Sequence, residues 1–185
     1  MIFVINGSPE SGKTTFEHYV QTLATWWRCH IFSTIDPIRV ILEKECDWNG
    51  EKTPEARKAL SELKRTLDEF CDFSINKTKE NITAIQRTLK EPNIIFIDCR
   101  EPHNIKRLCE ELGAKSLIIR RESAENKETS NNSDANVLNY DYDIEIWNNG
   151  TKEDLLEEAI KFIKKEGIEI PPFYFTLDGK IESLA

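Results

Sequence analysis

Met1-Ile2-Phe3-Val4-Ile5-Asn6-Gly7-Ser8-Pro9-Glu10-Ser11-Gly12-Lys13-Thr14-Thr15 opens the chain and decides its fold. A short apolar run from Met1 to Ile5 reads as a buried strand ending at Asn6. Beyond the loop, Phe16, Tyr19, Val20, Leu23, Trp26 and Trp27 recur at three- and four-residue spacing, which predicts an amphipathic helix with both tryptophans in the core. Between strand and helix, Gly7 and Gly12 let the backbone wrap tightly with its N–H groups turned inward. The helix N-terminus adds its partial positive charge, so the turn is built to hold an anion.

The spacing Gly7-x-x-x-x-Gly12-Lys13-Thr14 is that of the phosphate-binding P-loop, in the strand–turn–helix context that the motif requires. Gly7, Ser8, Pro9, Glu10, Ser11, Gly12, Lys13, Thr14 and Thr15 are therefore the expected ATP-binding residues. Lys13 is expected at the β- and γ-phosphates and the Thr14 hydroxyl on Mg²⁺, making ATP and Mg²⁺ the expected cofactors.

Outward from this loop the chain alternates strands and helices. Cys29–Thr34 reads as a second strand and 36–45 as a short helix with Pro37 in its first turn. Residues 53–90 read as a helical insertion, capped by Thr53 and opened by Pro54. Its apolar stripe is Ala56, Ala59, Leu60, Leu63, Leu67 and Phe70, with Arg57, Lys58, Lys64 and Arg65 opposite. A further helix is expected over 77–90. Residues 93–98 form an apolar strand ending in Asp98, and a helix follows from Pro102 to Gly113. Strands are expected at 115–120 and 142–147, separated by a polar loop without apolar periodicity at 122–139. Thr151 with Asp154 resembles a capping box that starts the last long helix. The tail suggests a hairpin turning at Asp178-Gly179.

Five strands alternating with helices imply an α/β domain: a five-stranded parallel sheet with helices on both faces, and ligands at the carboxyl ends of its strands. The expected organisation is one domain. Its core is 1–46 and 92–170, with an acceptor-side insertion at about 47–91, a mobile lid at about 120–139 and a tail at 168–185.

Composition sets bounds. The 185 residues are 39% hydrophobic and 31% charged, ordinary for one globular domain. No stretch approaches the roughly 20 apolar residues of a membrane span. No signal-peptide pattern is present, so a cytoplasmic protein without membrane partner is expected. Cys29, Cys46, Cys71, Cys99 and Cys109 show no C-x-x-C or zinc spacing. Cys29, Cys99 and Cys109 lie in apolar stretches and read as core residues of a reducing compartment. A net charge of −8 speaks against a general nucleic-acid binder without excluding a local basic cleft. His18, His30 and His103 are scattered without metal-ligand spacing. No obligate protein partner is evident.

Four further constellations carry chemistry. Asp98, at a strand end, is a candidate Mg²⁺ ligand; its other reading is a cap for the next helix. Asp36 follows the second strand and shares a helical face with Arg39. A carboxylate there can take an acceptor proton while the arginine grips a phosphate, or Asp36 simply caps its helix. Arg120 and Arg121 begin the polar loop and are candidate stabilisers of transferred charge, or a solvated basic pair. Arg100 is a candidate for the acceptor, or for an ion pair with Glu101. In the insertion, Lys52, Arg57 and Lys64 could line an acceptor pocket with Trp48 or Phe73 stacking on a base, or form a solvated face.

With these motifs the chain resembles the P-loop nucleoside and nucleotide kinase superfamily across nearly its whole length. The shared order is loop, acceptor-side Asp36, helical insertion, strand-end Asp98, basic lid and closing helix. The resemblance implies a P-loop kinase fold and places Asn149 and Gly150, within Asn148-Asn149-Gly150-Thr151, at the nucleotide base. Asp47-Trp48-Asn49-Gly50, Arg57 to Lys64 and Asn132 to Tyr142 are similar to phage and bacterial deoxynucleoside monophosphate kinases. The Asp36-x-x-Arg39 spacing resembles that of phage polynucleotide kinases, where the Asp is the general base. Fold, size and motif type also resemble phage 5-hydroxymethyluridine DNA kinases.

A phosphate acceptor is already an anion and needs arginines. A hydroxyl acceptor gains from a base by roughly 10²–10⁴ in rate. Asp36 therefore favours a hydroxyl on a nucleotide or modified DNA base, with deoxynucleoside monophosphate phosphorylation as the runner-up. A nucleotide or DNA acceptor is the expected partner in either case. The distant alternative is a P-loop NTPase switch or mechanical ATPase; a guanine-specific switch would carry Asn-Lys-x-Asp, and Asn76-Lys77-Thr78-Lys79 lacks its Asp.

Overall fold

The computed structural model describes residues 1–88, 92–126, 137–171, 173–175 and 181–183. The chain divides into two compact units, Met1–Ile31 with Glu91–Ala185 and Phe32–Lys90.

The first unit is built on a five-stranded parallel sheet. Its strands are β1 (Ile2–Asn6), β2 (Arg28–Ser33), β3 (Asn93–Asp98), β4 (Lys115–Arg120) and β5 (Ile144–Trp147), in the order β2-β3-β1-β4-β5. β2 runs on past Ile31 into the second unit. β1 lies centrally, registering Ile5 with Asp98 of β3 and Asn6 with Ile118 of β4. The chain leaves β1 toward one edge and later returns to its other side. This makes the carboxyl end of β1 the topological switch point where parallel sheets bind ligands.

Three long helices cover this sheet: α1 (Lys13–Leu23), α5 (Pro102–Leu112) and α7 (Lys152–Lys165). A single turn, α6 (Glu122–Glu125), follows β4 inside the expected lid; lid residues 127–136 lie outside the described residues. Phe162 of α7 packs on Phe3 and Phe16 at ring separations of 5.0 and 5.3 Å, tying α1 and α7 to one face of β1. α5 starts at Pro102 and ends at Gly113, whose φ of 61° is the left-handed closure that glycine accepts without strain. The Thr151–Asp154 capping box is present. β6 (Phe173–Phe175) pairs antiparallel with β7 (Ile181–Ser183), the two arms of the expected hairpin; its turn at 178–179 lies outside the described residues.

The second unit holds α2 (Asp36–Glu45), α3 (Pro54–Cys71) and α4 (Phe73–Thr88), which pack on one another. Thr53 Oγ1 accepts the Ala56 N–H at 3.2 Å and caps α3, with Pro54 at its first position. Asp72 ends α3 in the left-handed conformation, and α4 begins at once, earlier than periodicity indicated.

Three core expectations are corrected. α1 stops at Leu23, because Ala24 leaves helical geometry, so Trp26 is 58% exposed and Trp27 half-buried. In α3, Phe70 is 85% exposed and Lys64 is buried, its Nζ donating to Asp68 at 3.0 Å. An ion pair and a long aliphatic stem let Lys64 enter a face that composition assigns to apolar residues. Of the three cysteines read as core, only Cys99 is buried; Cys29 and Cys109 are half-buried.

Candidate phosphate-binding site

At the carboxyl end of β1 the loop encloses a cavity of about 640 Å³. Every residue from Gly7 to Thr15 lines it, together with Arg100, Arg121, Asn148, Gly150, Thr151, Lys152 and Leu155. All of these belong to the first unit. The segments after β3, β4 and β5 and the start of α7 complete the walls.

The loop's shape depends on close approaches. A Cβ at Gly7 would lie 2.5 Å from Ser11 Oγ and 2.7 Å from the Ile119 carbonyl oxygen. A Cβ at Gly12 would lie 2.3 Å from Asn148 Nδ2, and Gly12 has φ 97°. Asn148 in turn donates to the Ser11 carbonyl at 2.8 Å, pinning the loop to the end of β5. Asn148 lies within the segment expected at the nucleotide base, but its hold on the loop is not marked by that resemblance. A polar residue closing a buried strand at the ligand-binding edge was the available signal.

Two features fit the cavity to a phosphate chain with a divalent cation. Ser11 is 1% exposed, and its hydroxyl, buried beside Gly7, has no hydrogen-bond partner among the described residues, so a donor within the loop is left unused. Lys13, Arg100, Arg121 and Lys152 bring four cationic side chains to the lining. Thr14 and Asp98 are the residues that would hold Mg²⁺. No group of three or more His, Cys, Asp or Glu converges among the described residues, so such a cation would draw its remaining ligands from phosphate oxygens and water.

The Lys13 ammonium is ion-paired with Asp98 Oδ1. One turn further along α1 lies Glu17, 1% exposed, with its Oε1 lacking a hydrogen-bond partner among the described residues. Burial pushes its carboxyl up to about 8; the Asp98 charge adds to the rise and Lys13 opposes it. Cys29 is driven up to about 12, first by its own burial and then by Glu17.

The two expected lid arginines part company. Arg121 lines the cavity. Arg120 does not: its guanidinium donates to Glu125 at 2.8 Å and to Glu145 at 2.7 Å, and sits 4.3 Å above the Trp147 ring. Consecutive residues at a strand end point to opposite sides, which separates a cavity arginine from a structural one. Asn149, expected at the nucleotide base, accepts the Glu122 N–H at 2.9 Å and so ties α6 to the β5–α7 turn, while its neighbour Gly150 lines the cavity.

Of the acceptor-side candidates, Arg100 lines the cavity in the first unit, while Asp36, Arg39, Trp48, Lys52, Arg57 and Lys64 belong to the second unit. Asp36 Oδ1 pairs with Arg39 Nη1 at 2.7 Å and its Oδ2 accepts the Ser33 N–H at 2.7 Å, so both oxygens are held. Trp48 Nε1 donates to the Glu51 carbonyl, and Arg57 Nε to that of Lys52. These bonds order the turn into α3.

No family model matches the chain, and no curated protein does. Among solved structures it is similar to an APS kinase of Mycobacterium tuberculosis, at 9% identity over 88% of this chain and 96% of that one, TM-score 0.40. A shikimate kinase from Aquifex aeolicus is 12% identical over 90% and 98%, TM-score 0.45. A sugar kinase from Janibacter sp. is 16% identical over 88% and 94%, TM-score 0.48. The chemistry of the cavity rests on this chain's own residues.

Proposed function

We propose that this protein is an ATP-dependent kinase that phosphorylates a hydroxyl on a nucleotide or on a modified base in DNA. The observation that carries the reading is the cavity: Gly7–Thr15 wrap it, and Lys13, Arg100 and Arg121 line it. Bound Mg-ATP would supply the transferable phosphoryl group and a cation that draws charge from its oxygens. Lys13 would exchange Asp98 for phosphate oxygens, leaving the Asp98 carboxylate for the cation. Arg100 and Arg121 are the groups available to neutralise charge that spreads during transfer. Asp36, oriented by Arg39 and the Ser33 N–H, would take the proton of the acceptor hydroxyl.

A second reading, a deoxynucleoside monophosphate kinase, is favoured by one observation. Arg100 and Arg121 both line the cavity, and such pairs suit an anionic acceptor. The test is γ-labelled ATP with Mg²⁺ and a panel of acceptors: deoxynucleoside monophosphates, 5′-hydroxyl DNA, and DNA containing 5-hydroxymethyluracil. Label in a hydroxyl acceptor supports the first reading. Label in free monophosphates alone replaces it with the second.

A further inference from the structure

A chain of hydrogen bonds runs beneath the phosphate loop, and it has a direction. The Tyr142 hydroxyl donates to the Val137 carbonyl at 2.8 Å, which commits its single proton. The same oxygen must therefore accept the second bond it makes, from Asn6 Nδ2 at 2.8 Å. That fixes which way the Asn6 amide faces: its nitrogen toward Tyr142, its Oδ1 toward the Gly7 N–H at 2.8 Å. Asn6 Nδ2 also reaches the Arg100 carbonyl at 3.4 Å. Asn6 is fully buried, at the end of the central strand.

We propose that Asn6 and Tyr142 are positioning residues for nucleotide binding: Tyr142 orients the Asn6 amide, and Asn6 sets the first turn of the phosphate loop and the backbone that carries Arg100. Gly7 leaves little room for movement, since a Cβ there would meet Ser11 Oγ and the Ile119 carbonyl oxygen. An amide free to rotate would present its NH₂ to the Gly7 N–H, two donors face to face, and push that turn away from its neighbours. Burial holds the Tyr142 phenol up to about 12, so it keeps the proton that gives the chain its direction.

This inference rests on the cavity being the Mg-ATP site. The experiment is calorimetric titration of Mg-ATP into the wild-type protein, Tyr142→Phe, Asn6→Ala, the double variant and Tyr140→Phe, with a thermal melt of each. Tyr140 touches the Tyr142 ring and does not line the cavity, so it reports on loss of a neighbouring hydroxyl alone. Tyr142→Phe, which keeps the ring, is expected to bind Mg-ATP about tenfold more weakly, the scale of one buried hydrogen bond, with Tyr140→Phe unchanged. The double variant is expected to bind no more weakly than the worse single one, because both break the same chain. Binding by Tyr142→Phe within about twofold of wild type, or fully additive losses in the double variant, overturns the relay while leaving the ATP site standing. A wild-type protein that does not bind Mg-ATP overturns both.

Discussion

The Lys13 ammonium and the Asp98 carboxylate are ion-paired, joining the first residue of α1 to the last residue of β3 on the cavity side of the sheet. Each neutralises the other; on the proposed function, a phosphate chain and Mg²⁺ would replace them as partners. Lys13→Ala is expected to abolish Mg-ATP binding and transfer while the fold survives, because Lys13 contributes nothing to the apolar core. Circular dichroism with calorimetric titration checks it; retained Mg-ATP binding would remove Lys13 from the site.

Glu17 gives the protein a pH-dependent stability. The folded state holds this carboxyl up to about 8, against an ordinary value of 4.5. Between these values the folded chain keeps a proton that the unfolded chain releases, so stability falls as pH rises toward 8. The charges facing Glu17 are Asp98, which enlarges the effect, and Lys13, which reduces it; the Cys29 thiol is neutral throughout this range. Glu17→Gln cannot titrate. It is expected to melt above wild type near pH 8, with the gap closing near pH 4.5. A constant gap across that range would show that Glu17 does not titrate with folding.

Two loop substitutions should move in opposite directions. Gly12→Ala places a Cβ 2.3 Å from Asn148 Nδ2 at a φ of 97°, and should lose nucleotide binding and melt lower. Glu10 already bears a left-handed φ of 66°, a strain of about 1 kcal/mol for a side-chain-bearing residue, and is an acidic residue among those lining an anion cavity. Glu10→Gly relieves the strain, offsets it with chain entropy, and lowers the negative charge of the loop. Tighter Mg-ATP binding with a nearly unchanged melt is expected; weaker binding would give Glu10 a direct role with the ligands.

Arg120 and Arg121 should separate cleanly. Arg121→Ala is expected to lower kcat by about 10²-fold, as for other lost transition-state donors, with an unchanged melt. Arg120→Ala leaves Glu125 and Glu145 without their cation and uncovers Trp147, so it should lower the melt and spare kcat. Steady-state kinetics with thermal melts decide, and the reverse pattern would exchange their roles.

Asp36→Asn keeps the shape of the side chain and removes its basicity. If Asp36 takes the acceptor proton, kcat should fall by at least about 10²-fold. A loss under about threefold would leave it as an ordering contact for Ser33 and Arg39.

The motif and the alternation of apolar runs made the sheet legible, because buried parallel strands such as Ile94–Ile97 leave little choice of residue type. Proline and glycine punctuation located Pro54, Pro102 and Gly113. The misses have a common cause. Trp26 and Phe70 follow helical spacing beyond the point where their helix, or its apolar contact, ends, and spacing alone does not mark that point. Lys64 and Glu17 are buried ionisable residues; Lys64 is held by Asp68 one turn along its own helix, and neither burial is marked by residue type. Asn6, Asn148 and Tyr142 act through hydrogen bonds that span 137 residues in the case of Asn148 to Ser11, which no local pattern records. Arg121 was visible as a basic residue, but only the path of β4 distinguishes it from Arg120.

The central claim is phosphoryl transfer, and the most direct measurement follows the γ-label of ATP with and without acceptors. Label is expected to enter an organic acceptor, dependent on Lys13, with little inorganic phosphate released when no acceptor is present. Phosphate release at the same rate with or without any acceptor, and no labelled acceptor, would contradict it and leave a P-loop ATPase.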